Sequence, residues 1–250
     1  MIKIYYLFIY LFLFSNTLTA KNKKNFYKEE YVYKVKYFNV NIGEIKLVIT
    51  NKDTKKSNFV MKLDTKKKWS WIYSLHQLIN AKFKNNFSQL IKWNNIKKEK
   101  YKSKYENIKL SFYRSKLKKI KLTFFNKKKK IINKRFFILS KNKIVHSPWT
   151  APWYVATLNL KNKKSKIIHL LYKGKLVKAK INKLNKKTIL VLKKKIKTQI
   201  FSVSSIKNKS ISLKIWVSKY KKNNIVSNFN LKLKTGRLKA SLKSYKKEPL

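Results

Sequence analysis

The chain has 250 residues and a formal net charge of +57, with 65 Lys and Arg against 8 Asp and Glu. Its 44% apolar residues are enough to build a core, and the absence of Cys excludes disulfides, thiolate metal sites and Cys nucleophiles. With only three Gly, the chain lacks the glycine-rich phosphate loops and the nucleophile elbow of α/β-hydrolases.

The positive charge has two explanations. One is a polyanionic partner, such as nucleic acid, lipopolysaccharide or an anionic membrane surface. The other is an AT-rich genome, because the codons of Lys, Asn, Ile, Phe and Tyr are rich in A and T. Only three of the 65 basic residues are Arg, namely Arg114, Arg135 and Arg237. A site selected to bind phosphate would favour Arg, whose guanidinium can donate two parallel hydrogen bonds to a phosphate. The scarcity of Arg therefore favours nucleotide bias.

The first twenty residues differ from the rest of the chain. Residues 1–3 form a short cationic segment, residues 4–14 are continuously apolar, and residues 15–20 are small and mostly polar. This order is typical of a secretory signal peptide, and the apolar run is shorter than the ~20 residues of a membrane span. The sequence predicts cleavage after Ala20 and a location in a bacterial periplasm or outer envelope. An uncleaved N-terminal anchor is the alternative.

The remaining chain reads as β-strands, because apolar and polar residues alternate in many segments. One face of each segment is apolar and the other carries Lys, which predicts an antiparallel sheet with one buried and one solvated face. We expect one domain over residues 21–250, with its core at about 26–245. The alternating segments are residues 31–37, 44–49, 107–112, 118–124, 175–181, 211–217, 228–233 and 237–242.

Turn signals separate these segments at residues 41–43, 173–174, 221–224 and 234–236. The last three strands are therefore expected to form a meander. The lysine run at 127–130 predicts a hairpin or loop between strands.

Two segments depart from the alternation. Residues 68–75 place Trp69, Ile72 and Tyr73 at helical spacing, which predicts a short helix or an irregular turn. In residues 146–158, Ser147 is the expected cap of a second helix, with Pro148 at its first position. Trp149, Trp153 and Ala156 would share a face of that helix and close one end of the β structure.

No catalytic motif is found. His76, His146 and His169 lie far apart and belong to no metal-binding pattern. Asp64 with Glu99 or Glu106 stays open as a carboxylate pair, but no pattern singles it out. The sequence therefore predicts no catalytic, cofactor-binding or metal-binding residue and favours a non-enzymatic protein. The acidic residues are Glu29, Glu30, Glu44, Asp53, Asp64, Glu99, Glu106 and Glu248.

The six Trp residues have two interpretations. Core packing is favoured over stacking on a ligand, although a curved sheet can also enclose an apolar cavity for a small lipophilic molecule. They are Trp69, Trp71, Trp93, Trp149, Trp153 and Trp216.

Several motifs in order carry a family resemblance. Residues 31–44 resemble the opening "Y-x-V-x-Y … I-x-x-G-E" of exported bacterial proteins catalogued as domain of unknown function 3108. Residues 213–219 and 231–242 look like that family's "W-V-S" strand and its closing "G-x-x-x-A-x-L" strand. Residues 147–160 are similar to its central segment in placement.

The chain also departs from this family. The family's Pro after "W-V-S" and its Gly near Thr198 are missing, and His146 and Asn159 stand near the positions of its central Asp and Arg. The resemblance implies an envelope location and a β-rich fold, and it implies no reaction, cofactor or ligand.

The predicted fold class is mainly β: a strongly curved antiparallel sheet or an open β-barrel-like meander with one or two short helices. The predicted function is an exported, non-enzymatic envelope protein that binds or shields an apolar or anionic envelope component such as a lipid. The alternatives are a basic nucleic-acid-binding protein and a hydrolase.

Overall fold

A computed structural model describes residues 26–51, 56–66, 75–84, 87, 89–99, 103–112, 117–125, 130–140, 143–158, 160, 165–206, 211–233 and 236–250. The predicted signal peptide, the predicted helix or turn at 68–74 and most of the lysine run at 127–130 lie outside these residues. They therefore remain predictions.

The described residues form fifteen strands in one sheet and one short helix, α1. All eight alternating segments lie in strands, with residue 211 just before its strand. The elements in chain order are β1 Tyr27–Tyr37, β2 Val40–Asn51, β3 Lys56–Thr65, β4 Leu75–Lys84, β5 Gln89–Glu99, β6 Ser103–Phe112, β7 Leu117–Phe125, β8 Ile131–Ser140, β9 Val145–His146, α1 Ala151–Thr157, β10 Ser165–Tyr172, β11 Lys175–Val191, β12 Lys194–Ser205, β13 Ser212–Tyr220, β14 Asn223–Leu233 and β15 Gly236–Pro249.

The strand order is β8-β7-β6-β5-β4-β3-β2-β1-β15-β14-β13-β12-β11-β10-β9. Neighbouring strands are antiparallel, except that β9 runs parallel to β10. The first strand pairs with the last along its whole length, from Tyr27 opposite Pro249 to Tyr37 opposite Leu238. The chain is therefore two consecutive meanders joined through β1 and β15, and the expected meander of β13, β14 and β15 is confirmed.

The sheet curls until distant strands meet. Arg135 on β8 donates a hydrogen bond from Nη1 to the carbonyl oxygen of Gly174, in the turn between β10 and β11, at 3.0 Å. Strand β9 also packs against β5. These contacts join opposite ends of the strand order, so the predicted strongly curved, β-barrel-like antiparallel sheet with a short helix is confirmed.

The interior is lined by the apolar face of each strand. On β1, Tyr31, Tyr33 and Val35 are buried, whereas Lys34 and Lys36 between them are exposed. This is the alternation of an antiparallel sheet with one dry face. Most lysines therefore lie on the outside, where they also discourage edge pairing with other chains.

The turn between β1 and β2 differs from the prediction. Phe38 and Asn39 form it, with φ of 47° and 64°, and residues 41–43 lie inside β2. The turns at Lys173–Gly174 and Lys221–Lys222 agree with the sequence, and their paired positive φ values suit two-residue hairpins.

Gly43 serves a close approach of strands. It lies opposite Thr65 in the β2–β3 ladder, and a Cβ at this position would lie 2.1 Å from the backbone oxygen of Asp64. The neighbouring atoms are backbone and cannot swing aside, so only Gly fits.

We expect Gly43→Ala to destabilise the fold by about 2 kcal/mol, because β2 and β3 must separate to admit the methyl group. Urea unfolding followed by circular dichroism measures this change. Val60→Ala is the comparison, since that side chain lies on the exposed face of β3 in the same ladder and its truncation leaves the β2–β3 spacing unchanged. A loss at position 43 no larger than about 0.5 kcal/mol would contradict the packing described here.

Helix α1 begins later than predicted. It starts at Ala151, Thr150 occupies the N-cap position, and Pro152 rather than Pro148 lies in its first turn. The Ser147 hydroxyl still accepts a hydrogen bond from the Thr150 backbone N–H at 3.2 Å, while the Ser147 N–H donates to Thr150 Oγ1 at 3.0 Å. This reciprocal pairing forms a turn ahead of the helix and delays its start. No helix within the described ranges has the length and apolar character of a membrane span.

Candidate functional site

The three histidines are not brought together. His76 on β4 is exposed and its Nδ1 lies 2.9 Å from the Asp64 carboxylate. His169 on β10 is half-buried, and His146 on β9 is fully buried. Within the residues that the structure describes, no three His, Asp or Glu side chains gather as metal ligands.

The acidic side chains that the structure describes are all engaged by cations. Glu44 pairs with Lys243 at 2.9 Å, and this hydrogen bond holds the pKa of Glu44 below its ordinary value. Asp64 also meets Lys62, at 3.0 Å. Glu30 pairs with Lys28, and Glu248 with Lys246. Asp53 and the side chains of Glu99 and Glu106 lie outside the description, so their proposed pairing with Asp64 remains untested.

Glu29 lies at one end of the barrel on the inner face of β1. It accepts hydrogen bonds from the hydroxyls of Tyr31 at 3.0 Å and Tyr245 at 3.1 Å, and Lys247 lies 3.6 Å away. Burial, aided by the Glu29 charge, raises the pKa of both tyrosines. Each hydroxyl therefore stays protonated and donates a hydrogen bond to the carboxylate. The cluster fixes the β1–β15 junction.

Helix α1 fills the interior at this same end, which we call the helix end. The Trp153 ring contacts Tyr31 and Tyr33 of β1, Phe59 of β3 and Phe229 of β14, with centroid distances of 5.2–6.4 Å. The expected closing role of Trp153 and Ala156 is thus confirmed: both are buried. Trp149 precedes the helix and packs against the core in part.

The remaining tryptophans are divided between interior and surface. Trp93 on β5 is buried, and Trp216 on β13 is half-buried with Lys214 Nζ 5.4 Å from its ring centroid. Trp69 and Trp71 lie outside the described residues. Core packing therefore accounts for Trp93 and Trp153, as the sequence indicated.

His146 belongs to this packing. Its ring stacks between Phe83 and Tyr154, at centroid distances of 5.6 and 4.6 Å, and its Nδ1 pairs with Thr150 Oγ1 at 3.3 Å. Burial lowers the pKa of His146 to about 3. The imidazole is therefore a neutral packing element.

We expect His146 to make the fold acid-sensitive. Its folded pKa lies below its unfolded value of about 6.5, so the unfolded chain takes up the proton first and stability falls as pH drops from 6.5 towards 3. The histidine contributes a loss of about 2 kcal/mol between pH 7.5 and pH 5. His146→Phe, which keeps a ring in the stack, should remove this part of the pH dependence in urea unfolding.

Phe83→Leu is the control for this experiment, because it disturbs the same ring stack without removing a titratable group, so the pH dependence should stay as in the wild type. If His146→Phe and the wild type lose equal stability over this pH range, His146 is not buried as described.

A pocket of about 300 Å³ lies between α1 and strands β11 to β14. The residues of α1 and of the segment after it are apolar, whereas the strands carry four lysines and two amides beside Phe201 and Val217. We call it the lysine pocket, and its lining is Val155, Ala156, Leu158, Leu160, Lys183, Lys186, Lys197, Gln199, Phe201, Val217, Lys219 and Asn224.

The pocket lysines lie on the core-facing side of their strands, where all four are exposed to solvent at the helix end. Side chains two residues apart on a strand share a face. Rows that begin with buried apolar residues deep in the barrel end on lysines at the pocket: residues 179, 181 and 183 on β11, residues 203, 201, 199 and 197 on β12, and residues 213, 215, 217 and 219 on β13. The core face itself thus becomes cationic at the helix end.

The charges of the pocket are not balanced by acids. Among the residues that the structure describes, its lining contains no Asp, Glu or His. Lys183 Nζ donates to the backbone oxygen of Leu160 at 3.3 Å. Lys186 lies opposite Gln199 in the β11–β12 ladder, and Lys219 lies opposite Asn224 in the β13–β14 ladder. An apolar wall beside unneutralised ammonium groups suits an anion that carries a hydrocarbon chain.

The sequence search for sites did not identify this pocket. Among so many lysines, those of the pocket carry no local mark. The only signal was the position of Lys183, Lys197 and Lys219 in the period-two rows, and that signal acquires meaning only when the strand register aligns the row ends.

Comparison with known proteins supports the fold. No family model matches the sequence, and no curated protein matches it significantly. The crystal structure of a β-barrel-like protein of domain of unknown function DUF1849 from Brucella abortus is similar, with a TM-score of 0.54. The similarity covers 90% of this chain and 98% of that chain at 9% identity. At this identity it shows a shared fold alone, and the resemblance to domain of unknown function 3108 stays a prediction.

Proposed function

We propose that the chain is an exported, non-enzymatic protein of the cell envelope that binds an anionic amphiphile in the lysine pocket. One observation carries this proposal: the inner face of three adjacent strands changes from apolar to cationic beside the apolar flank of α1. A charged head meets the lysines while its chain lies against Val155, Leu158 and Phe201.

Two features support binding without turnover. Of the described residues that line the pocket, none offers a carboxylate, imidazole or hydroxyl that could act as a general base or nucleophile. The buried His146 packs between rings and is held neutral by its surroundings. Neither group of residues resembles the acid–base machinery of a hydrolase.

Export is the second part of the proposal, and it rests on residues 1–20. A cationic start, a short apolar run and small residues before Ala20 are the features of a cleavable signal peptide. Fractionation of a bacterium that expresses the full chain, followed by N-terminal sequencing, should find a mature protein in the periplasm that begins at Lys21. A cytosolic protein that still begins at Met1 would contradict export.

Binding is tested by lipid analysis of the same mature protein. Organic extraction and mass spectrometry should release an anionic amphiphile near one per chain, and native mass spectrometry should show the loaded protein. A protein that carries none, and that binds neither dodecanoate nor dodecyl phosphate saturably, would refute the proposal. Nucleic acid bound with a steep salt dependence would instead favour the nucleic-acid alternative.

A further inference from the structure

We propose that the lysine pocket selects a phosphate monoester that carries one hydrocarbon chain; this rests on the proposed function and names the ligand class of that site.

The number of available ammonium groups points to a phosphate monoester. Lys183 is already engaged by the Leu160 carbonyl, which leaves Lys186, Lys197 and Lys219. In the described part of the chain, none of these three lies within ion-pair distance of a carboxylate. A phosphate monoester offers three acceptor oxygens and a charge near −2 at pH 7, whereas a carboxylate offers two oxygens and a charge of −1.

The placement of the three lysines favours separate contacts with one head group. They come from three adjacent strands, β11, β12 and β13, so they lie side by side along one face of the sheet as separate donors. Lys binds as a point charge, and three point charges suit the separate oxygens of a tetrahedral group. The opposing groups in the ladders are neutral: Gln199, whose Nε2 already donates to the backbone oxygens of Leu184 and Ile200, and Asn224, whose amide can donate to a ligand.

The size of the pocket limits the hydrocarbon part. A volume of about 300 Å³ is at the lower end of the range for small-molecule sites. Its apolar lining is short: α1 and the residues after it supply Val155, Ala156, Leu158 and Leu160, and the strands opposite supply Phe201 and Val217. A pocket of this volume with so few apolar residues suits one hydrocarbon chain better than two, so the ligand carries one.

Calorimetry with matched ligands tests the head group. The probes are dodecyl phosphate and its methyl ester, dodecyl methyl phosphate, which have the same chain and phosphorus but differ in the second charge. At pH 7.5 and physiological salt, with each ligand below its micelle concentration, we expect dodecyl phosphate to bind about tenfold more tightly and one per chain.

The pH dependence provides a second readout. The second proton of a phosphate monoester has a pKa of about 6, so at pH 5 the two probes carry nearly equal charge. Their affinities should then converge. No His, Asp or Glu of the described ranges lines the pocket, and its titratable groups are Lys183, Lys186, Lys197 and Lys219. A change between pH 5 and 7.5 therefore reports on the ligand.

The outcomes separate this inference from the proposed function. Equal affinity for the two probes at pH 7.5, or the same affinity ratio at pH 5, would overturn the phosphate monoester while leaving an anionic amphiphile as ligand. If inorganic phosphate binds as tightly as dodecyl phosphate, the hydrocarbon chain adds nothing to the affinity. The single-chain ligand would then be wrong, and the pocket would be a site for free phosphate. Failure of every anionic amphiphile to bind saturably would overturn the proposed function itself.

Discussion

The variant that combines Lys186→Gln, Lys197→Gln and Lys219→Gln should bind dodecyl phosphate about 100-fold more weakly than the wild type. Each ammonium group near a phosphate in a water-exposed pocket contributes about 1 kcal/mol, and three contribute about 3 kcal/mol. The apolar contacts with Val155, Leu158 and the rest of the wall remain. Calorimetry at physiological salt measures the loss.

A matched control separates the pocket from the general charge of the protein. Lys178, Lys180 and Lys214 alternate with buried core residues of β11 and β13, so they lie on the outer face of the sheet. Replacing these three with Gln removes the same charge from the outside. We expect less than about a threefold change in affinity, the effect of screened charges at a distance. Equal losses in the two triple variants would mean that binding is non-specific attraction to a basic surface.

The second large effect is expected from Trp153→Ala, which should destabilise the protein by about 4 kcal/mol. Trp153 is 3% exposed and lies among rings from both meanders: Tyr31, Phe59 and Phe229. Removing the indole leaves a cavity that the surrounding strands cannot fill, because backbone hydrogen bonds hold the strands at a fixed spacing. Urea unfolding monitored by circular dichroism measures the change.

Trp216→Ala is the control for this variant. Trp216 lies on the outward face of β13 and is half-buried, so its loss should cost about 1 kcal/mol. If Trp153→Ala were as stable as Trp216→Ala, α1 would not be the internal packing element described above. The Trp153 variant should also lose the lysine pocket, because Val155 and Ala156 line it from the same helix.

Alternation made the strands readable from the sequence where the two faces differ. Residues 33–37 of β1 and 44–47 of β2 alternate buried Tyr, Val, Ile or Leu with exposed or half-buried polar residues, and the sequence predicted both as strands. β3 was missed, because Ser57 lies on its buried face and Val60 on its exposed face. β12 was missed because Ile200 and Phe201, which are adjacent, are both buried.

Gly43 shows why one turn was misplaced. Gly is common in turns, and the sequence offered residues 41–43 as the only Gly-containing break between the first strands. The structure instead uses Phe38 and Asn39 as the turn and places Gly43 where β3 passes too close for any side chain. Close approach of backbones depends on tertiary structure, so no local pattern reveals it.

The lysine pocket was beyond local prediction for a related reason. The row of Leu213, Ile215 and Val217 ends at Lys219, which in the sequence looks like the end of an apolar face. Only the ladders show that β11 and β12 end in the same way at the same place, with α1 opposite. The prediction of an apolar or anionic ligand followed from composition, whereas its site required the register.

Photo-crosslinking tests the central claim, that the ligand lies inside the helix end of the barrel. A dodecyl phosphate with a diazirine at its chain end should label the wall of the pocket, in the peptides that contain Val155, Leu158 or Val217, and excess dodecyl phosphate should abolish the labelling. Labelling that spreads over peptides of the outer lysine faces, or that persists with excess competitor, would contradict this claim. It would show that the protein binds anions on its surface and not in the lysine pocket.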